Sequence, residues 1–324
     1  MDTEYKFLLN SSEKLKIYML AQEINACPQK EPDKFAYQAK ELGKRLPFRI
    51  VQILKDFSLY GNSMGYLLFS EFSMHNDFIP DTPTDNKQHL GEKTILAKIQ
   101  AIFNEQIGEM ISYEAEGSGK LFQDMSPNYK LSQTQTSLGS TVELEIHTEQ
   151  AFSKLKPDFL SLACLRGNHD AKTFIIHRDK ILEHLSSSEK IFLQDLQWTI
   201  GVDLSFKING CEFLEGDIRG PIPILTREGH FVFDQDLMRG ITDEAEQLRH
   251  KIIDIYYKHR SNHCLKPGEI IFIDNRHAVH GRSSFQPKFD GKDRFLVRSF
   301  ITLDLNKSIH ACVTKERMIS AIYS

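Results

Sequence analysis

Apolar and polar residues alternate in the stretch TVELEIHTE. Val142, Leu144 and Ile146 fall on one face, and Glu143, Glu145, His147 and Glu149 on the other. A period of two predicts a half-buried strand. The runs DFLSLACLR, GEIIFIDN and DRFLVRSFITLDL are short, apolar or alternating, and bounded by Gly, Pro, Asp or Asn, so they too read as strands. The first half of the chain follows another period. DKFAYQAKELGKRLPFRIVQILKDFSL reads as helices broken near Pro47. TDNKQHLGEKTILAKIQAIFNEQIGEM reads as one long helix, with Ile95, Ile99, Ile102 and Phe103 near helical spacing. Between them GYLLFSEF is a short buried strand. TFIIHRDKILEHL has a helical pattern around His177, and TDEAEQLRHKIIDIYYKHRSN is a helix that Thr242 would cap.

Strands gathered in the second half and helices in the first do not alternate as βαβ units do. The expected class is α+β, a mainly antiparallel β core with packed helices. We expect a single domain over 1–324, with a helix-rich region 1–130 packed on a β core 131–310. The segment 207–230, rich in Gly and Pro, is a candidate lid.

Composition narrows the partners. The 324 residues are 40% hydrophobic, ample for a large core, and carry a net charge of −4. No polybasic patch invites nucleic acid or an anionic membrane. No apolar run approaches the roughly 18 residues of a spanning helix, and MDTEYKFLLNSSEK lacks the order of a signal peptide. Five cysteines, Cys27, Cys164, Cys211, Cys264 and Cys312, are far apart and form no CxxC pair. A reducing cytoplasm is therefore expected, without disulfides or thiolate zinc.

Two familiar motifs fail on context. GNSMG around Ser63 matches a nucleophile elbow, but a helical run precedes it and a strand follows, the reverse of what an elbow needs. GSGK (117–120) lacks the phosphate loop's upstream glycine, where Glu114 stands, and its Ser/Thr, where Leu121 stands. Both read as glycine turns.

The pattern His-x-acid is common. With 13 His and 44 acidic residues in 324, about two copies are expected by chance, and the chain has three: His75/Asp77, His147/Glu149 and His177/Asp179. The first lies in a polar, proline-rich loop. The third falls in the run read as helical, where residues two apart do not share a face. Only His147 and Glu149 follow clear strand alternation and can reach one ion. Downstream, DNRHAVHGR offers His277 and His280 near a strand end, and spacing leaves both open. Then Arg294, Leu296, Arg298 and Phe300 share a strand face. Two arginines there need anions or water, unless they are simply surface or internally paired residues. Two histidines and one carboxylate form the facial triad of non-haem Fe(II) oxygenases.

Taken together, ELEIHTEQAF, PDFLSLACLRG, KTF, FDQDLM, DNRHAVHGRSSFQPKFDGKDRF and VRSF resemble the clavaminate synthase-like family of Fe(II)/2-oxoglutarate-dependent oxygenases, in its free amino acid hydroxylase branch. The resemblance implies a distorted double-stranded β-helix, a cupin-like jelly roll wrapped by helices. It implies iron held by His147, Glu149 and His280, the last chosen over His277 by the pattern NxxxVHGR. It also implies that Arg294, 14 residues after His280, and Thr173 hold 2-oxoglutarate. Arg298 would meet the substrate carboxylate and Ser137 the substrate. The reaction implied consumes O2 and 2-oxoglutarate, releases succinate and CO2, and hydroxylates C3 or C4 of an amino acid.

The side chain is argued from charge. Asp234 and Asp236 would point one way if FVFDQDLMRG is extended, and two acids facing a pocket select a cation. A solvated acidic turn or cap is the plain alternative. Glu116 is a candidate for the α-ammonium. The expected substrate is a free basic L-amino acid: lysine, then arginine, then asparagine. Readings from another class are a cupin-like metal hydrolase and an inactive binding barrel. The arginine at 294, which a hydrolase would not need, argues against the first, and an intact triad and clamp argue against the second.

Overall fold

Strand Phe159–Arg166 shows how the sequence builds the core. It is buried on both faces. Leu160, Leu162 and Cys164 join an apolar cluster with Ile271, Ile273, Leu296 and Phe300. The alternate residues Phe159, Ala163 and Leu165 join a second cluster with Phe35, Leu54, Phe57, Ile99 and Phe103 from the N-terminal helices. A strand covered on both sides has no polar face to show, hence its near-continuous apolar run. The computed structural model describes residues 5–72, 78–207, 213–312 and 317–323.

Among the described residues the strands form three sheets. The major sheet runs Lys6–Leu8, Tyr66–Ser70, Ile270–Asp274, Phe159–Arg166, Phe295–Thr302, Glu109–Tyr113, Met318–Ile319, with Gln123–Met125 also paired to Phe295–Thr302. The minor sheet runs Ser261–Cys264, Lys172–His177, Ala278–Arg282, Leu144–His147. A third, Met238–Gly240, Trp198–Gly201, Ile218–Ile222, lies apart from both in pairing. The pairs are antiparallel except at two edges of the major sheet, where Lys6–Leu8 and Met318–Ile319 pair in parallel. The mixed α+β class is as expected.

Helix boundaries follow their caps. Pro47 stands at the N-terminus of Phe48–Tyr60, so the break after Pro32–Gly43 falls where the sequence placed it. Thr242 caps Asp243–His259 by accepting a hydrogen bond from the Ala245 amide. An unforeseen capping box joins Asn10 and Glu13 at Ser11–Glu23. The long helix expected from residue 84 starts only at Ile95, capped by Thr94. The reason is Asp124, whose carboxylate accepts from the Leu90 amide at 2.6 Å and the Gly91 amide at 3.0 Å and holds that stretch as a turn.

One further reading is corrected. His177 is not helical; it ends strand Lys172–His177, and its ring accepts from the Asp179 amide to start Arg178–Leu182. The first half supplies the expected buried strand, Tyr66–Ser70, and two strands not foreseen, Glu109–Tyr113 and Gln123–Met125, all members of the major sheet. Gln100 ties the two layers. From helix Ile95–Ile107 its amide donates to the Ser161 carbonyl (3.1 Å), the Ser161 hydroxyl (2.9 Å) and the Val297 carbonyl (3.0 Å). That fixes the strand carrying Arg298. Among the described residues no helix is long and apolar enough to cross a membrane, and Cys27, Cys164, Cys264 and Cys312 are free thiols. Cys211, His75 and Asp77 lie outside the described residues.

Candidate active site

His147 closes the strand Leu144–His147, and His280 stands opposite it on the neighbouring strand Ala278–Arg282. Their ring centroids are 4.4 Å apart. Close approach of these strands needs Gly281. A Cβ there would sit 2.6 Å from the Leu144 carbonyl oxygen and 2.9 Å from the Tyr256 hydroxyl. Glu149 lies beyond the strand end, so it does not owe its aim to alternation. Asn275 aims it instead: its side-chain oxygen accepts from the Glu149 amide (2.8 Å) while its NH2 donates to the Glu149 carbonyl (3.1 Å) and the Pro157 carbonyl (2.8 Å). One ligand atom from each of His147, Glu149 and His280 lies within 4.8 Å of the others. His277, the alternative, faces away and bonds Asp274 at 3.0 Å.

The donor set fits a divalent iron ion. Glu145 offers its carbonyl to His147 Nδ1 at 2.8 Å, which settles the proton on that nitrogen and leaves Nε2 as a ligand. Burial pushes the His147 pKa down, and the His280 ring adds to this, so the imidazole is held neutral as ligation requires. Burial alone would push Glu149 up, yet Arg298 together with His280 and His147 holds its carboxyl at about 2. All three donors are buried or nearly so.

Two cavities meet at this triad, both lined in part by Ser137, Leu144, His147, Glu149 and Arg298. One extends past Glu116, Glu145, Asp203, Asp234 and Asp236 and is strongly acidic. The other extends past Thr173, His280, Arg282 and Arg294 over the apolar Leu160, Leu162 and Leu296. Arg294 and Arg298 share their strand face, as alternation predicts, and are 7% and 5% exposed, so they are not surface residues. Arg298 donates to Glu149 at 3.1 Å, to Gln123 at 2.5 Å and to Glu116. Burial raises the Glu116 pKa to about 7 despite the Arg298 charge.

Asp234 and Asp236 both reach the acidic cavity, but not as neighbours on an extended segment. The chain turns there, because the Asp234 carboxylate accepts from the Leu237 amide at 2.7 Å. Burial pushes Asp234 up to about 7, although His147 counters it. Thr148, between the two ligands, positions this segment. Its hydroxyl donates to the Phe231 carbonyl (3.1 Å) and accepts from the Phe233 amide (3.2 Å), and its amide donates to the Phe233 carbonyl (2.7 Å).

Sequence reasoning missed Asn275, Thr148, Gln123, Asp203 and Arg282; only Asn275 and Arg282, as members of the DNRHAVHGR block, and Thr148, within ELEIHTEQAF, carried a signal. Ser63 sits in a turn between helix Phe48–Tyr60 and strand Tyr66–Ser70, and Gly117 and Gly119 take positive φ in their own turn. Neither rival motif touches either cavity, except that the adjoining Glu116 does. Of the lid candidate 207–230, residues 208–212 lie outside the described residues, and Ile218–Ile222 is a strand of the third sheet.

A buried His-Glu-His cluster where two sheets converge, with an arginine-lined cavity beside it, defines a mononuclear metal oxygenase. Comparison with known proteins names the family. Residues 223–300 match the family described as "Taurine catabolism dioxygenase TauD, TfdA family". The chain is 45% identical to an L-lysine 3-hydroxylase of Catenulispora acidiphila over 98% of its length and 89% of that relative. It is 28% identical to clavaminate synthase 2 of Streptomyces clavuligerus over 90% of both chains. The fold matches an asparagine oxygenase structure holding Fe(II), hydroxyasparagine and succinate, with a TM-score of 0.88 at 24% identity over 98% of this chain and 99% of that one. The chain belongs to the Fe(II)/2-oxoglutarate-dependent amino acid hydroxylases, enzymes that use iron, 2-oxoglutarate and O2.

Proposed function

We propose that this enzyme hydroxylates free L-lysine at C3. One observation carries the reading: beyond the triad, the cavity on the side away from Arg294 is lined by Glu145, Asp203, Asp234 and Asp236, an acidic surface suited to a side-chain ammonium. The 45% identity to an L-lysine 3-hydroxylase favours lysine over arginine and C3 over C4.

In this reading Arg298 takes the α-carboxylate and Glu116 the α-ammonium. These two groups are already bonded to each other, so the zwitterion inserts into an existing charge pair. Ser137 flanks both cavities and contacts the substrate there. Anchored at its α end, the substrate runs past His147 and Glu149 toward Asp234 and Asp236, which turns C3 and C4 to the triad. His147, Glu149 and His280 hold the iron, and Arg294 with Thr173 receives the distal carboxylate of 2-oxoglutarate. Bound iron supplies O2 activation coupled to decarboxylation of 2-oxoglutarate to succinate and CO2. The protein's share is orientation and exclusion of water: Leu160, Leu162 and Leu296 dry the cosubstrate side, and Phe152 and Phe206 the substrate side. We further propose that the major and minor sheets are the two halves of a jelly roll within one domain.

The test is anaerobic addition of 2-oxoglutarate to the Fe(II) protein, watching for the weak visible charge-transfer band, then succinate release with a panel of amino acids. Lysine should give the largest stimulation, and the product should lose one deuterium from 3,3-dideuterated lysine and none from the 4,4-dideuterated form. A band with no lysine-dependent succinate would overturn the substrate but not the class.

A further inference from the structure

Among the described residues six arginines are at least nine-tenths buried: Arg219, Arg249, Arg282, Arg294, Arg298 and Arg317. Four are neutralised within the protein, by Glu215, Glu246, the Glu116/Glu149 pair and Glu105 respectively. Arg282 and Arg294 have no carboxylate partner among the described residues. They line the same cavity and approach the same ring, with guanidinium carbons 5.2 Å and 5.9 Å from the centre of Phe285. A buried charge without a counter-charge costs several kcal/mol, and a like charge beside it adds to that. Such a pair persists where a ligand supplies the missing anion.

Arg282 is also incompletely bonded. Its Nε donates to the Ser283 carbonyl at 3.2 Å and Nη1 to the Ser137 carbonyl at 3.3 Å, both neutral acceptors. Its Nη2 is buried and has no partner. The strand explains the aim: Arg282 is two residues beyond His280, so both side chains leave the strand on the same side, and Arg282 pairs across to Thr173.

We propose that Arg282 is a second cosubstrate-binding cation, so that the distal carboxylate of 2-oxoglutarate is held between two guanidinium groups, Arg294 and Arg282. This rests on the assignment of that cavity to 2-oxoglutarate. Two unpaired cations facing one carboxylate make affinity depend steeply on the anion's charge. They also give the metal-free protein an affinity for succinate, which carries no keto acid chelate.

The experiment compares wild type, Arg282→Gln and Arg282→Lys. The Fe(II) protein is titrated anaerobically with 2-oxoglutarate through its charge-transfer band. Metal-free protein is heated with and without succinate. The Gln variant should raise the 2-oxoglutarate Kd at least tenfold and lose the succinate-induced rise in Tm. The Lys variant, keeping charge but not the planar fork, should fall between. A Kd within twofold of wild type in the folded variants overturns the proposal, even if Tm falls, because a purely structural arginine would act that way. Should the Gln variant not fold, the Lys variant decides by the same criterion. Absence of the band in wild type would instead fault the cavity assignment.

Discussion

His147 and His280 are cross-strand partners, set directly opposite each other in the minor sheet. The backbone ladder therefore fixes the separation of two of the three candidate iron ligands. The third, Glu149, is fixed by a side chain, and that difference shapes what substitutions will do.

Glu149→Asp shortens the reach of a ligand whose backbone is clamped and cannot follow. Misplacement of about 1 Å can cost on the order of a hundredfold in rate. We expect turnover to fall by about that factor while Tm changes little, as read by succinate formation and a melting curve.

Asn275→Ala releases the clamp. It strands buried peptide groups of Glu149 and Pro157, at about 1–3 kcal/mol each, and frees the ligand to wander. Loss of a group that orients a ligand typically weakens metal affinity by about 10–100-fold. Titration with Fe(II) or Co(II) should show that weakening. Metal affinity unchanged in a destabilised protein would show that Asn275 serves the fold alone.

Thr148→Val removes the hydroxyl that joins Phe231 and Phe233 and keeps the shape. The segment bearing Asp234 should loosen, raising the lysine KM by roughly tenfold, about 1.4 kcal/mol, with the 2-oxoglutarate Kd unchanged. Equal effects on both ligands would contradict a role confined to that segment.

Acid should destabilise the protein through Asp274. Burial pushes its carboxyl up from 3.8, but hydrogen bonds from His277 and Arg276 outweigh this and hold it at about 2. The unfolded chain then binds more protons than the folded one between those values, so stability rises with pH across that window. The contribution is complete above the unfolded value and is lost as pH falls through about 2, and amounts to about 2–3 kcal/mol. Asp274→Asn should lower stability at pH 7 and flatten its dependence between pH 4 and 2, measured by urea unfolding.

Legibility in the sequence followed range. His147, and the shared face of Arg294 and Arg298, could be read because a strand's period is local. The family pattern separated His280 from His277, which spacing left open; the structure gives the physical reason, since Asp274 occupies His277. Asn275, Thr148 and Arg282 were invisible as positioning groups because their partners stand 126, 83 and 145 residues away. The turn at Asp234, one of two alternatives the sequence left open, was a local matter. An Asp accepting from the amide three residues on is an ordinary turn device, and apolar neighbours on both sides masked it.

The segment carrying Asp234 and Asp236 is fastened to the triad's strand through main-chain groups: Thr148 amide to Phe233 carbonyl, and Gln235 amide to Ile146 carbonyl at 3.0 Å. Main-chain fastening is indifferent to side-chain identity. Position 236 can therefore be exchanged while the scaffold around the ligands stays in register, whereas Asp234 also holds the local turn through the Leu237 amide. That makes this strap a natural place for evolution, or a protein engineer, to retarget the same oxidising centre to a different amino acid.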